Sequence, residues 1–224
     1  ITQETILKDG YGKNPARGDT SLREINEGAL TTSWIFDGPD SIQVGAGHVS
    51  LAVTYKKGWS TQAIQGHVPV LFYPGRELPR DCLGICLGSG QSFGALLMYL
   101  PDDGRLDVVD ISEEMIELSL RNYGEYNHGL GEDSRVSVHL DDGRHYVDRA
   151  ASGSYDAISM EPPPPTADGV CSLYSLEFYQ GVRRILRPGG IFMQWLPLYR
   201  ITPGDTLGIV KTQAAVFPFT FVVK

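Results

Sequence analysis

The chain has 224 residues, 42% hydrophobic and 21% charged, which suits one large globular domain or a large one with a small annex. Its formal net charge of −8 argues against a nucleic-acid-binding surface, which is normally basic. No uninterrupted apolar run is long enough to span a bilayer, and the opening "ITQETILKDG" lacks the basic-then-apolar pattern of a signal peptide.

A soluble cytoplasmic domain is therefore expected. The chain starts without methionine, which leaves an upstream cut open, and it stops at Lys224, directly after an expected strand, so either the sheet lacks a final edge strand or the domain is truncated. Residues 1 to about 60 carry short β-type runs, "TTSWIF", "SIQV" and "LAVTY", separated by turn signals such as "DGPD" and "GAG". This predicts a small N-terminal region of strands and hairpins over 1–60. "TQAIQGHVPVLFY" then reads as a short helix that Pro69 must bend or limit.

From Asp81 the texture alternates. "CLGICL" is a strand, "SFGALLMYL" an apolar helix, and "RLDVVDI" a strand ending in Asp110. "SEEMIELSLRNY" reads as a helix with Ser112 as N-cap and acids in its first turn. "RVSVHL" is a strand, "GRHYVDRA" a short helix and "YDAISM" a strand. "LYSLEFYQGVRRIL" is an amphipathic helix closed by "RPGG" as a stop. "GIFMQWLPL" (strand), "PGDTLGIVKTQAAVF" (helix) and "FTFVVK" (strand) complete the series. Such alternation predicts an α/β fold over 61–224: a Rossmann-like, doubly wound, mostly parallel sheet.

In such sheets ligands bind beyond the carboxyl ends of the strands, at the switch point. In "LGSGQSFG", Gly88 and Gly90 allow a tight turn and close backbone approach to a ligand. Asp110, 20 residues after Gly90, suits either a ribose diol or the cap of the following helix. In "LDDG", Asp142 suits an adenine amino group or a solvated turn. Phe93 stands where a dinucleotide loop has its third glycine, and no base lies nearby to neutralise a pyrophosphate. An adenosine carrying a sulfonium fits better. In "MEPPPPTADG", Glu161 ends a strand, and Pro162 to Pro165 either brace the loop or shape an active-site wall. Asp168 lies on the same loop. Cys82, Cys86 and Cys171 lack metal-type spacing and read as reduced thiols, buried for the first two; no metal is expected. His48, His128, His139 and His145 share no spacing and read as ordinary residues.

"YDAISMEPPPPTADGVCSLYSLEFYQGVRRILRPGGIFMQW" resembles the strand, acidic loop, helix and return strand of the spermidine synthase family, the polyamine aminopropyltransferases. "QAIQGHVPV" and "VVDISEEMIELS" resemble two further segments of that family, and the likeness runs from about Ser41 onward. Its proline-rich form looks most like a divergent bacterial branch. The resemblance implies the class I methyltransferase fold and a cofactor that is S-adenosylmethionine or its decarboxylated form. It implies cofactor contacts from Gly88, Gly90, Gln91, Asp110, Asp142 and Gln62, and substrate contacts from His67, Glu161 and Tyr174. Glu161 and Asp168 would be the catalytic acids. Gln91 stands where the family carries an aspartate that grips the amine of the decarboxylated cofactor, Pro164 where it carries the proton-accepting aspartate, and Thr61 where a tyrosine often lines the amine site. Aminopropyl transfer to an amine or polyamine is the expected function. Methyl transfer to an amine and a non-catalytic adenosyl-binding domain are the alternatives. A homodimer is left open.

Overall fold

The computed structural model describes residues 21–47, 49–56, 60–167 and 169–223. Strands β1 (Ser21–Glu27), β2 (Thr32–Asp37), β3 (Ser41–Ala46) and β4 (Val49–Tyr55) form an antiparallel meander in that order. β1 goes beyond the expected strands. Its apolar Leu22 and Ile25 are three apart, a spacing that sends side chains to opposite faces of a regular strand. A bulge between Leu22 and Glu24 corrects the phase, and both residues pack against Trp34 and Phe36.

A second sheet of five parallel strands holds β5 (Asp81–Ile85), β6 (Arg105–Asp110), β7 (Val136–Leu140), β8 (Tyr155–Met160) and β9 (Leu186–Gln194), in the order β7-β6-β5-β8-β9. Six helices accompany it among the described residues: α1 (Thr61–Leu71), α2 (Gln91–Leu97), α3 (Glu113–Asn122), α4 (Gly143–Arg149), α5 (Leu176–Ile185) and α6 (Pro203–Val216). Alternate strand residues serve opposite layers. Leu83, Ile85, Ile158 and Met160 pack with Phe178, Tyr179, Val182 and Ile185 of α5. Cys82, Leu106, Val108 and Ala157 pack with Phe93, Leu96 and Leu97 of α2. Each large side chain so buried contributes about 1.5–3 kcal/mol. The meander docks through Ile35, Ile42, Val44 and Ala52 onto Met115, Leu118 and Tyr123, in and just after α3.

Helix α1 starts at Ser60, whose hydroxyl accepts from Ala63 N at 3.3 Å, and continues past Pro69 to Leu71. It lies so close to α2 that a Cβ on Gly66 would sit 2.1 Å from the Ser92 carbonyl oxygen. Two expected features differ. "RPGG" lies inside β9, where the register slips between the Tyr155–Leu186 and Ala157–Ile191 pairs, so a strand bulge follows α5 directly. Arg187 anchors that bulge on Asp81 at 2.6 Å and Asp156 at 2.9 Å. The expected last strand also differs: residues 220–223 pair with no strand among the described residues, and Phe221, Val222 and Val223 are exposed. Among the described residues no helix is long and apolar enough to cross a membrane.

The chain runs outward from β5 through β6 to β7, then returns to β8 on the other side of β5. The switch point therefore lies between β5 and β8, and a crevice is expected at their carboxyl ends. The glycine loop and Glu161 both sit there.

Candidate active site

β8 stays paired to its carboxyl end. Glu161 N donates to Ile85 O at 3.1 Å, and Trp195 N donates to Met160 O at 3.0 Å. The prolines begin where this ladder stops, so their missing N–H groups leave no ladder bond unmade. Pro162 and Pro164 are buried. Tyr174, from a short 3-10 turn at Val170–Tyr174, donates its hydroxyl to Pro163 O at 2.8 Å and braces the loop. Ala167 N closes the turn on Pro164 O at 2.9 Å. Asp168 lies outside the described residues.

Glu161 is met by side chains from two other elements. The Gln65 amide of α1 donates to Glu161 Oε1 at 3.1 Å and Oε2 at 3.3 Å, in the orientation that satisfies both its neighbours. Its oxygen accepts from Trp195 Nε1 at 3.1 Å. Glu161 keeps partial solvent access, as a crevice-lining group does. Protein nevertheless surrounds its carboxyl, and desolvation raises its pKa from 4.5 to about 7, with the Ser92 hydroxyl pulling the other way.

The glycine loop after β5 turns through three left-handed residues: Cys86 (φ 68), Gly88 (φ 52) and Gly90 (φ 74). A Cβ on Gly88 would meet nothing within 4 Å, so the backbone there faces open space. Asp110 spans this loop and the start of α3. Its Oδ2 accepts from Leu87 N at 2.7 Å and its Oδ1 from Ser112 N at 2.9 Å. Burial pushes the Asp110 carboxyl above its ordinary pKa, against these backbone donors. Asp142 caps α4, its Oδ1 accepting from Arg144 N at 2.7 Å. Cys86 sits within reach of three acids. Burial first, then the charges of Asp110, Glu161 and Asp142, push its thiol far up, so it stays protonated. Cys82 is buried as expected, Cys86 is only half-buried because it lies in the glycine loop beyond the strand, and Cys171 is exposed.

The remaining candidates fall into two groups. Gln91 is buried, and its Oε1 accepts from Thr54 Oγ1 at 2.8 Å and Ser60 Oγ at 2.9 Å, joining β4, the α1 cap and α2. Gln62 Oε1 lies 3.0 Å from the same Ser60 Oγ, whose single proton the two glutamine oxygens compete for. His67 stands two residues from Gln65, hence on the far side of α1, with Nδ1 3.0 Å from the Tyr99 hydroxyl. The structure thus brings Glu161, Asp110, Asp142, Gly88 and Tyr174 to one end of the sheet and leaves His67 away from Glu161. Gln65 and Trp195 are additions that no local pattern marks.

These residues fit an adenosyl sulfonium group. Open space lies over a left-handed glycine, a carboxylate stands at the adjoining strand end, and the charges of Asp110, Glu161 and Asp142 all bear on Cys86 of the glycine loop, where a nearby cation would be favourable. Fold and site together define a Rossmann-like α/β domain with carboxylates gathered at its switch point. Residues 63–219 match the spermine/spermidine synthase domain, and the chain belongs to that family. It is 32% identical over 142 residues to polyamine aminopropyltransferase 2 of Hyperthermus butylicus, covering 63% of this chain and 46% of that protein. It is 33% identical over 128 residues to putrescine N-methyltransferase 1 of Nicotiana tabacum, covering 56% and 32%. The chain thus spans less than half the length of these two relatives. A crystal structure of spermidine synthase in complex with the transition state analogue AdoDATO superposes with a TM-score of 0.76 at 22% identity, over 88% of this chain and 66% of the other. Spermidine synthase from Thermotoga maritima gives 0.74 at 21%, over 88% and 65%. At these identities the likeness establishes the fold.

Proposed function

We propose that this chain carries the catalytic unit of an aminopropyltransferase, which takes the aminopropyl group of decarboxylated S-adenosylmethionine and places it on an amine. The cofactor, when bound, supplies an electrophilic carbon attached to a positively charged sulfur. The tasks left to the chain are to hold the nucleoside, attract a cationic amine, and free the lone pair of its nitrogen. Asp110 suits the ribose hydroxyls, because a carboxylate accepts two hydrogen bonds side by side. Asp142 stands on the neighbouring loop, suited to the adenine amino group. Gly88 and Gly90 let the backbone approach the ligand.

The observation that carries the reading is Glu161. Its pKa of about 7 leaves it partly ionised near neutrality, where a base both attracts an ammonium group and accepts its proton. Holding the nitrogen in line with the carbon supplies several further kcal/mol of rate acceleration, up to roughly 7–11 in well-oriented cases. In this reading Tyr174 and the prolines keep the wall around Glu161 fixed, and Asp168 is a second acid of the same loop. Gln91 and Gln62 support the cofactor loop, and His67 is engaged by Tyr99.

A second reading, methyl transfer from intact S-adenosylmethionine, is favoured by the N-methyltransferase likeness and by neutral Gln91 in place of an acid. Incubation with putrescine and each cofactor, followed by product mass, separates them. The proposal expects an added aminopropyl mass with the decarboxylated cofactor. Methylputrescine from the intact cofactor would replace it with the second reading, and no product from either would overturn both.

A further inference from the structure

We infer that Gln65 is a positioning residue for this transfer: anchored by the Trp195 indole, its side-chain amide holds the Glu161 carboxylate in place at the end of β8. The inference rests on the reading of Glu161 as the base. Three remote parts of the chain meet here: α1, the end of β8 and the residue following β9. The indole N–H is a donor only, so it can meet only the oxygen of the Gln65 amide. That contact, at 3.1 Å, turns the amide nitrogen toward Glu161, 3.1 and 3.3 Å from its two oxygens. Gln65 is 8% exposed and lies one residue before Gly66, where α1 contacts α2, so the backbone that carries it has little room to move.

The arrangement does two things. It limits the carboxylate to one orientation, and it offers the charged form a donor that offsets part of its desolvation. The other groups around Glu161 are the Ser92 hydroxyl from α2, the Cys86 thiol from the glycine loop and, beyond Cys86, Tyr174, Asp110 and Asp142. Burial keeps Cys86 and Tyr174 neutral. Without Trp195 the amide is free to turn its oxygen toward Glu161, which favours the protonated acid. Loss of either partner therefore moves Glu161 in the same direction, upward.

The ligand-free protein supplies one test. It has three tryptophans, so the indole N–H signals in a nitrogen-15 spectrum are few, and Trp195→Phe identifies its own by loss. The Trp195 signal should titrate with a midpoint of about 7, lose that titration in Glu161→Gln, and no longer follow it in Gln65→Leu. Kinetics supply the second. Gln65→Leu should lower kcat roughly ten- to a hundredfold, as for loss of one hydrogen bond to a charged group, with a much smaller change in KM for the amine. The acid limb of kcat/KM should move up by about one pH unit. Trp195→Phe should shift it the same way, and the double variant should be little worse than Gln65→Leu. An unshifted acid limb in both single variants, or an indole signal indifferent to Glu161→Gln, overturns the inference. If Glu161→Gln retains turnover, the base assignment itself fails. If Glu161→Gln is inactive while Gln65→Leu keeps the native profile, only the role of Gln65 fails. If Gln65→Leu does not fold, Trp195→Phe and the indole titration decide.

Discussion

Replacing Glu161 by glutamine should make the protein more stable at alkaline pH while removing its activity. The side chain keeps its shape and an oxygen for Gln65, but can no longer ionise. Desolvation raises the carboxyl from 4.5 to about 7, a difference of 2.5 units. At about 1.36 kcal/mol per unit, ionising Glu161 in the folded protein costs about 3 kcal/mol, an upper figure because the residue as a whole keeps partial solvent access. The folded state holds this proton more tightly than the unfolded one. The contribution to stability is therefore fully present below about pH 4.5 and is lost as the pH rises through about 7. Glu161→Gln should match the native protein near pH 4.5 and exceed it by about 2–3 kcal/mol at about pH 8.5. For a chain of this size that is a melting-temperature gain of about 5–10 °C. Parallel thermal melts at the two pH values test this. A difference between the proteins that does not change with pH, or a less stable variant at the higher one, would refute the buried-base argument.

Other substitutions probe the rest of the site. Asp110→Asn should weaken methylthioadenosine binding by about 10- to 100-fold in a calorimetric titration, the scale of charge-assisted hydrogen bonds, and an unchanged affinity would remove Asp110 from the ribose site. Gly66→Ala should destabilise by about 1–3 kcal/mol in urea unfolding, because its methyl group collides with the Ser92 carbonyl; a neutral result would mean that α1 and α2 are not in such contact. Tyr174→Phe loses the bond to Pro163 O and should cost about 1 kcal/mol of stability, together with a severalfold drop in kcat/KM for the amine. Full activity in that variant would detach the proline loop from the reaction.

The alternation of strands and helices after Asp81 was legible because each element carries its own local pattern. "RLDVVD" is a compact apolar run, and Ser112 with its following acids marks a helix start. The misses share a different cause: they depend on neighbours. The phase of β1 is set by a bulge against β2, and "RPGG" became strand because Arg187 is anchored by Asp81 and Asp156. "FTFVVK" has strand composition but no strand beside it among the described residues. At the site, the glycine loop, Asp110 and Glu161 could be singled out because strand ends and turns announce themselves. Gln65 could not, since one glutamine in an apolar helix has no meaning until Trp195 and Glu161 are placed against it.

The central claim is aminopropyl transfer with Glu161 as the base. Transfer from decarboxylated S-adenosylmethionine to putrescine, followed by product mass across a range of pH, tests it most directly. The account predicts an aminopropylated product whose rate of formation rises through a limb near pH 7 and is abolished in Glu161→Gln, although that variant still binds methylthioadenosine. No aminopropylated product at any pH, or a limb that survives Glu161→Gln unchanged, would contradict it.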